Sequence, residues 1–233
     1  MKLPPRAQRA RPAGHNDFQE VYVTRSGFPR LYPIVDAGLL AARGVAIVEY
    51  ARMLRAAGVR LLQYRDKDGA DAAVLRHAEA IAQAFDGVER TLLMNDRMDL
   101  MLLAGWDGVH VGQTDMAPAD VRIVVGDGRV IGVSTHTNEQ VRIAAETTAD
   151  YVAIGPVFAT GTKRDASPMV GLDGVRRARE RTSKPLVAIG GITRRNARSV
   201  IEAGADAVAV ISGLTAPGER PCKVARDFLE IFR

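Results

Sequence analysis

The sequence predicts an α/β protein of the (β/α)8 or TIM-barrel class, folded as a single domain. Three observations support this prediction. From Leu31 onward, apolar runs of strand length alternate with longer, Ala- and Arg-rich helical patterns. Eight such pairs can be counted, and repeated βα units with right-handed crossovers can close into a barrel. The length of 233 residues also suits an undivided α/β barrel.

The predicted strands are short apolar runs, as expected for a parallel sheet that is covered by helices on its outer face. They are Leu31–Val35, Arg60–Arg65, Thr91–Met94, Gly108–Gly112, Val130–Val133, Tyr151–Gly155, Pro185–Ile189 and Ala207–Ile211. An open, doubly wound sheet is the alternative architecture. No GxGxxG segment follows the first strand, and the sequence therefore favours the barrel.

The predicted helices lie between and after these strands. Their ranges are residues 44–58, 71–85, 97–104, 117–125, 138–147, 171–183, 194–203 and 219–232. The start of the fifth helix is marked by Thr137 with Gln140 three residues later, which is the capping-box spacing.

Residues 1–27 differ in composition from the rest of the chain. They contain five basic and two acidic residues together with Pro4, Pro5 and Pro12, and so carry +3 of the net charge of +5. This predicts a basic, mobile N-terminal arm (1–27) before a catalytic domain (28–233). The remaining +2 leaves no basic stripe of the kind that binds nucleic acid.

The cysteine content and the hydropathy pattern bear on location. Cys222 is the only cysteine, which excludes an intramolecular disulfide and suits a reducing compartment. The sequence has neither a secretory signal nor about 18 consecutive apolar residues. We therefore expect a cytoplasmic protein without a membrane segment.

Gln63, Arg65 and Lys67 are polar residues at every second position where the second strand ends. In an extended strand they share one face, and buried cationic groups need a partner. Active sites of (β/α)8 barrels lie at the carboxyl ends of the strands. We therefore expect these side chains to bind an anionic ligand.

Asp96 and Asp115 follow the third and fourth strands. Two carboxylates completed by water and phosphate oxygens are a usual way to hold Mg²⁺. Taken singly, Asp96 could cap the next helix and Asp115 could be a loop residue. Their place at adjacent strand ends, facing a cationic cluster, favours the metal.

Three further segments after strands have features of phosphate sites. Gly155–Lys163 combines small residues, two threonines and a lysine, although an ordinary surface loop is the alternative. Gly190-Gly191 and Ser212-Gly213 match the phosphate site that barrels often form after strands seven and eight. His110 alternates with apolar neighbours and is predicted to be a hydrogen-bonded core histidine rather than a catalyst.

These motifs, taken together, resemble the thiamine-phosphate synthase family. In order they are QYRDK (63–67), NDRMDL (95–100), DGVHVGQTDM (107–116), GVSTHT (132–137), GPVFATGTK (155–163), AIGGI (188–192) and VIS (210–212). The resemblance runs from about Leu31 to Phe232. It implies a barrel that joins hydroxymethylpyrimidine diphosphate to thiazole phosphate, or to its carboxylate form with loss of CO2. Thiamine phosphate and pyrophosphate are the implied products, with one Mg²⁺ per active site.

The resemblance also implies a role for each matching residue. Asp96 and Asp115 would bind Mg²⁺. The pyrimidine diphosphate would be bound by Gln63, Arg65, Lys67, Asn95, Ser134 and Lys163, of which Arg65, Lys67, Ser134 and Lys163 would act in catalysis. The thiazole phosphate would be bound by Thr160, Gly161, Thr162, Gly191, Ile211 and Ser212.

Two positions depart from the usual family pattern. Asp66 stands where Glu is common, and Gly161 stands where Ser or Ala is common. Strand alternation turns Asp66 away from Arg65, so we expect little effect on the chemistry. Gly161 is expected to loosen its loop, because glycine costs more to order.

Three alternatives remain for the function. A thiazole tautomerase-like isomerase of the same fold has no need of a diphosphate cluster or of paired metal carboxylates. A non-catalytic ligand-binding barrel would be marked by loss of Asp96, Asp115 or Lys163. A sugar-phosphate epimerase needs a pair of proton-transfer groups. The sequence favours the synthase, acting on small phosphorylated molecules, and leaves open whether the chain forms a homo-oligomer.

Overall fold

A computed structural model describes residues 25–161, 168–216 and 218–233. Its eight parallel strands pair in the order β1 to β8, and β8 pairs again with β1 to close the barrel. The strands are β1 Leu31–Asp36, β2 Leu61–Arg65, β3 Thr91–Asn95, β4 Gly108–Val111, β5 Val130–Thr135, β6 Tyr151–Ile154, β7 Leu186–Ile189 and β8 Ala207–Val210. The predicted fold class is therefore confirmed.

Helices connect the strands and cover the outside of the barrel. They are α1 Ala37–Ala42, α2 Ile47–Ala57, α3 Asp71–Ala84, α4 Met98–Ala104, α5 Pro118–Val125, α6 Asn138–Ala145, α7 Gly171–Arg179, α8 Ala197–Glu202 and α9 Pro221–Ile231. A 3₁₀ turn, Ser212–Leu214, follows β8. Among the helices of the described residues, none combines the length and the hydropathy that a membrane-spanning segment requires.

The helix predictions were right in number for the regular βα units and imprecise at the ends. Helix α1 was missed, because it has only six residues and begins directly after β1. Helix α2 begins three residues later than predicted, since Gly44 adopts a left-handed conformation with φ of 64°. The predicted cap at Thr137 is confirmed, because its hydroxyl accepts a hydrogen bond of 3.2 Å from the backbone N–H of Gln140.

Two hydrophobic cores result from the alternation of side chains along the strands. One face of each strand packs against the helices and forms the larger core, which includes Val35, Leu62 and Val109. The other face fills the barrel interior, where Phe28, Tyr32, Leu61, Leu93 and Tyr151 are buried together. The interior is therefore packed with side chains and is not an open channel.

Aspartates brace the N-terminal end of the barrel, where the strands begin. Asp107, Asp150 and Asp206 each precede a strand, and each accepts a backbone N–H from the preceding strand of the sheet at 2.6–2.8 Å. Asp150 is also paired with Arg122, and Asp206 with Arg179, at 2.7 Å in both cases. These carboxylates hold neighbouring strands in register.

Candidate active site

The C-terminal end of the barrel opens into a cavity of about 1650 Å³. The ends of β2 to β5 and the loops that follow them form much of its wall. Residues predicted for the site that line this cavity are Arg65, Lys67, Asn95, Asp96, Asp115, Ser134 and Gly161. The polar residues that the sequence spreads between positions 65 and 134 are thus brought together at one opening.

Arg65 ends β2 and is oriented by Asp36, the last residue of β1. The two residues face each other in the β1–β2 register, and their side chains form an ion pair. Asp36 is only 7% exposed, and its other oxygen accepts the backbone N–H of Leu39 at 2.9 Å, which caps α1. A carboxylate that is fixed in this way holds the guanidinium at the rim of the cavity.

Lys67 lies on the short β2–α3 loop, which Asp66 shapes. Asp66 lines the cavity and accepts hydrogen bonds from the Tyr64 hydroxyl at 3.0 Å and from the backbone N–H of Gly69 at 2.9 Å. Lys67 is exposed, and its Nζ lies 3.9 Å from a carboxylate oxygen of Asp96. The loop therefore presents an ammonium group beside the carboxylates, while the carboxylate of Asp66 is engaged by Tyr64 and by the loop backbone.

Asp96 and Asp115 meet at the ends of β3 and β4. Asp96 adopts a left-handed backbone with φ of 59°, which is unusual for a residue other than glycine. It does not cap α4, whose N-cap is Arg97, and the capping alternative is therefore wrong. The Gly112 backbone N–H donates to Asp115 Oδ2 at 2.7 Å, which fixes the second carboxylate.

The surroundings of this carboxylate pair would favour a bound cation. Burial raises the pKa of Asp96, and the charge of Asp115 and a hydrogen bond between the two carboxyl groups raise it further. Lys67 and Asn95 oppose this shift in pKa only in part. A divalent cation would relieve the repulsion between the carboxylates. Since the described residues contain no cluster of three or more His, Cys, Asp or Glu, such an ion would need further oxygen ligands from water or substrate.

The Ser134 and Gln63 side chains lie deeper in the barrel. Ser134 Oγ is 2.8 Å from His110 Nε2, and the Gln113 side chain donates to the Ser134 carbonyl at 2.6 Å. Gln63 is 2% exposed, and its amide N–H donates to the Tyr32 hydroxyl at 2.8 Å. His110 is a hydrogen-bonded core histidine, as predicted, but it also lines the cavity.

The loops after β6, β7 and β8 form the opposite side of the opening. Gly191 has φ of 65°, and a Cβ at this position would lie 2.5 Å from the carbonyl oxygen of Ala159, so only glycine allows this approach of the loops. Ile211 packs on the interior core, and Ser212 begins the 3₁₀ turn. Thr160 and Gly161 lie on the neighbouring loop. Thr162 and Lys163 fall outside the described residues.

Comparison with known proteins decides which family builds its site in this way. The model of the family described as thiamine monophosphate synthase matches residues 31–214, which is most of the barrel. The chain belongs to the thiamine monophosphate synthase family. This result confirms the family predicted from the motifs and the predicted enzyme class, a transferase.

Individual relatives agree with this assignment. The thiamine-phosphate synthase of Koribacter versatilis is 51% identical over 206 residues, which cover 88% of this chain and 96% of the relative. The thiamine-phosphate synthase of Chloroflexus aurantiacus is 41% identical and covers 80% of this chain and 85% of the relative. Among solved structures, thiamine phosphate pyrophosphorylase from Pyrococcus furiosus has a TM-score of 0.78 at 30% identity, covering 87% of this chain and 94% of that one.

The sequence did not predict three residues that the structure places in or under the site. Asp36 is a lone acid after the first strand, and its position at a strand end was the available signal. Tyr32 and Tyr151 are interior residues whose hydroxyls meet at 2.8 Å. They are 119 positions apart, so only the closed barrel brings them together.

Proposed function

We propose that the chain joins 4-amino-2-methyl-5-hydroxymethylpyrimidine diphosphate to thiazole phosphate, producing thiamine phosphate and pyrophosphate. The observation that carries the proposal is the Asp96–Asp115 carboxylate pair. Lys67 Nζ lies 3.9 Å from Asp96, and Arg65 lines the same cavity. Paired carboxylates beside cations suit a diphosphate with a bound divalent ion. Membership of the family supports the same substrates, including the carboxylate form of the thiazole with loss of CO2.

The proposed binding roles follow the two sides of the opening. Asp96 and Asp115 would hold one Mg²⁺, which when bound would neutralise charge on the departing diphosphate. Arg65, Lys67, Asn95 and Lys163 would bind the diphosphate, and Gln63 and Ser134 the pyrimidine ring. The thiazole phosphate would be bound by Thr160, Gly161, Thr162, Gly191, Ile211 and Ser212.

The proposed reaction is a dissociative substitution. The bond between the pyrimidine methylene carbon and the diphosphate oxygen breaks, and its electron pair leaves with pyrophosphate. Arg65 and Lys67, held by Asp36 and by the Asp66 loop, stabilise that developing negative charge from fixed positions. The electron-rich aminopyrimidine stabilises the methylene cation.

The second half of the reaction forms the new bond. The thiazole nitrogen donates its lone pair to the methylene carbon, which gives the C–N bond of thiamine phosphate. Binding of the thiazole phosphate near Gly191 and Ser212 places this nitrogen for attack, so that positioning supplies much of the rate. No nucleophile from the protein is needed.

The setting proposed for this reaction is the cytoplasm, with small phosphorylated molecules as partners. The absence of a basic stripe outside the N-terminal arm supports neither a nucleic-acid nor a membrane partner. We propose the domain division at residue 28 on the same grounds of composition. Of the arm, residues 1–24 lie outside the described part of the chain, whereas Phe28 already packs in the barrel interior.

The direct test supplies the purified chain with both substrates and Mg²⁺ and measures thiamine phosphate and pyrophosphate. Equal amounts of the two products, formed only when metal is present, are expected. Thiazole isomerisation without pyrophosphate release would instead identify a tautomerase-like enzyme. Binding of either substrate without turnover by folded protein would identify a ligand-binding barrel. Either result would overturn the proposal.

A further inference from the structure

A continuous chain of hydrogen bonds crosses the barrel interior beneath the cavity. It runs from Gln63 to Tyr32, Tyr151, His110 and Ser134, and each of its four links is 2.8 Å long. Its two ends are the residues proposed to bind the pyrimidine ring. The three residues between them have no role in the proposed reaction.

The interior is shaped around this chain. A Cβ at Gly132 would lie 2.0 Å from the Tyr151 ring, so glycine on β5 makes room for that ring. The His110 and Tyr151 rings stack with centroids 5.5 Å apart. Burial raises the pKa of both Tyr32 and Tyr151 far above neutrality, and both hydroxyls therefore keep their protons and must donate them.

Hydrogen-bond polarity in such a chain is set at one end and transmitted to the other. The Gln63 amide N–H donates to Tyr32. Each hydroxyl has a single proton, so if every link is satisfied, Tyr32 donates to Tyr151 and Tyr151 donates to His110 Nδ1. His110 must then carry its proton on Nε2 and donate it to Ser134 Oγ. This order leaves the Ser134 hydroxyl proton to be donated to a ligand. It also leaves Gln63 Oε1 as an acceptor, since this oxygen forms no hydrogen bond within the described residues.

The opposite polarity would reverse both ends together. If Gln63 Oε1 accepted from Tyr32, every proton along the chain would move to the other side of its bond. Gln63 would then offer an N–H donor to the ligand, and Ser134 would offer an acceptor. The chain therefore couples what Gln63 presents to what Ser134 presents.

We propose that this chain makes Tyr32, Tyr151 and His110 positioning residues that select an aminopyrimidine over an oxopyrimidine. An aminopyrimidine presents an amino N–H donor beside a ring-nitrogen acceptor, which complements Gln63 Oε1 and the Ser134 hydroxyl. The oxo form presents a carbonyl acceptor beside a ring N–H donor, and both contacts become repulsive. The inference rests on the proposed function for the identity of the ligand.

The first measurement needs no activity. In the ligand-free protein, ¹⁵N NMR of the His110 ring is expected to show the proton on Nε2. The signals are assigned with a His110→Asn variant. A proton on Nδ1 would mean that the hydrogen bonds run in the reverse direction, and this result would overturn the proposal. This readout decides the direction of the hydrogen bonds even if the protein fails to make thiamine phosphate.

The second measurement compares the 4-amino pyrimidine diphosphate with its 4-oxo analogue as substrates. Because buried polar groups left unpaired discriminate strongly, wild type is expected to favour the amino form by about 10⁴-fold in kcat/KM. Tyr151→Phe removes one link and should lower that ratio at least about tenfold, while the KM for thiazole phosphate stays unchanged. The difference in intrinsic reactivity between the two substrates cancels when the two proteins are compared.

Tyr50→Phe is the matched control, since Tyr50 is equally buried but lies on α2 outside the chain. It should leave the substrate ratio unchanged. Tyr32→Phe breaks the adjacent link and replaces Tyr151→Phe if that variant does not fold. A folded link variant that retains the wild-type ratio would overturn the proposal. Wild type that turns over neither substrate would refute the proposed function, with the NMR result still deciding the chain polarity.

Discussion

Aspartates lie at both ends of the barrel, but their surroundings differ. At the N-terminal end, Asp150 and Asp206 each accept a backbone N–H and pair with an arginine at 2.7 Å. At the C-terminal end, Asp96 faces Asp115, and Lys67 is 3.9 Å away. The charges at the N-terminal end are paired within the protein. The Asp96–Asp115 pair instead carries negative charge that a bound cation would compensate. The same residue type thus holds strands together at one end and lines the cavity at the other.

The largest effect is expected from Asp96→Ala. If Asp96 holds the metal that assists departure of the diphosphate, kcat/KM should fall at least about 10³-fold, because charge stabilisation of this kind is a major part of catalysis. Thermal unfolding should show that the fold is retained. Steady-state kinetics with saturating Mg²⁺ provide the measurement, and near-normal turnover would refute the metal assignment.

Asp206→Ala should lower stability and leave activity unchanged, which is the reverse of the result expected for Asp96→Ala. Its removal leaves Arg179 half-buried without its carboxylate and deprives the Leu186 N–H of an acceptor, so we expect the free energy of unfolding to fall by about 3 kcal/mol. Denaturant unfolding measures the loss, and kcat per folded molecule should stay near wild type. Asp173→Ala is the control, since this exposed partner of Arg176 on α7 should contribute less than about 0.5 kcal/mol. Equal losses of unfolding free energy for the two variants would refute the proposed structural role of the aspartates at the N-terminal end of the barrel.

A smaller effect of opposite sign is expected from Asp96→Asn in the ligand-free protein. The raised pKa of Asp96 means that its ionised form is disfavoured in the native state at neutral pH. Asparagine removes the charge and tolerates the left-handed backbone, so the free energy of unfolding should rise by about 1 kcal/mol, or about 2–4 °C in Tm.

The pH dependence of stability follows from the same shift. As pH falls through the raised native pKa of Asp96 toward the ordinary carboxyl range, the native state takes up a proton that the unfolded state does not. The contribution of Asp96 to stability therefore increases in that window and is lost again as pH rises. Asp96→Asn should flatten this part of the profile. A variant less stable than wild type at neutral pH, with an unchanged profile, would contradict the account.

The sequence predicted the barrel well because its signal is local. Each buried strand is an apolar run bounded by polar or glycine residues, and every predicted strand falls within two residues of the observed limits. Helix α1 was missed because six residues give too short a pattern. The convergence of Arg65, Lys67, Asp96 and Asp115 on one cavity was predictable because strand ends converge in this fold.

What the sequence could not predict depends on contacts across the barrel. The partnership of Arg65 with Asp36 depends on the register of β1 and β2. The Tyr32–Tyr151 contact depends on closure of the barrel and on the space left by Gly132. Neither has a periodicity or a spacing in the sequence that would reveal it.

The contrast between the two ends is tested most directly by the effect of Mg²⁺ and pyrophosphate on stability. If Asp96 and Asp115 form a metal-diphosphate site, Mg²⁺ and pyrophosphate together at about 100 times their dissociation constant should stabilise wild type by about 2.7 kcal/mol. Asp206→Asn should gain as much, whereas Asp96→Asn should gain little. Equal stabilisation of Asp96→Asn and wild type, or full stabilisation by pyrophosphate without Mg²⁺, would contradict the account.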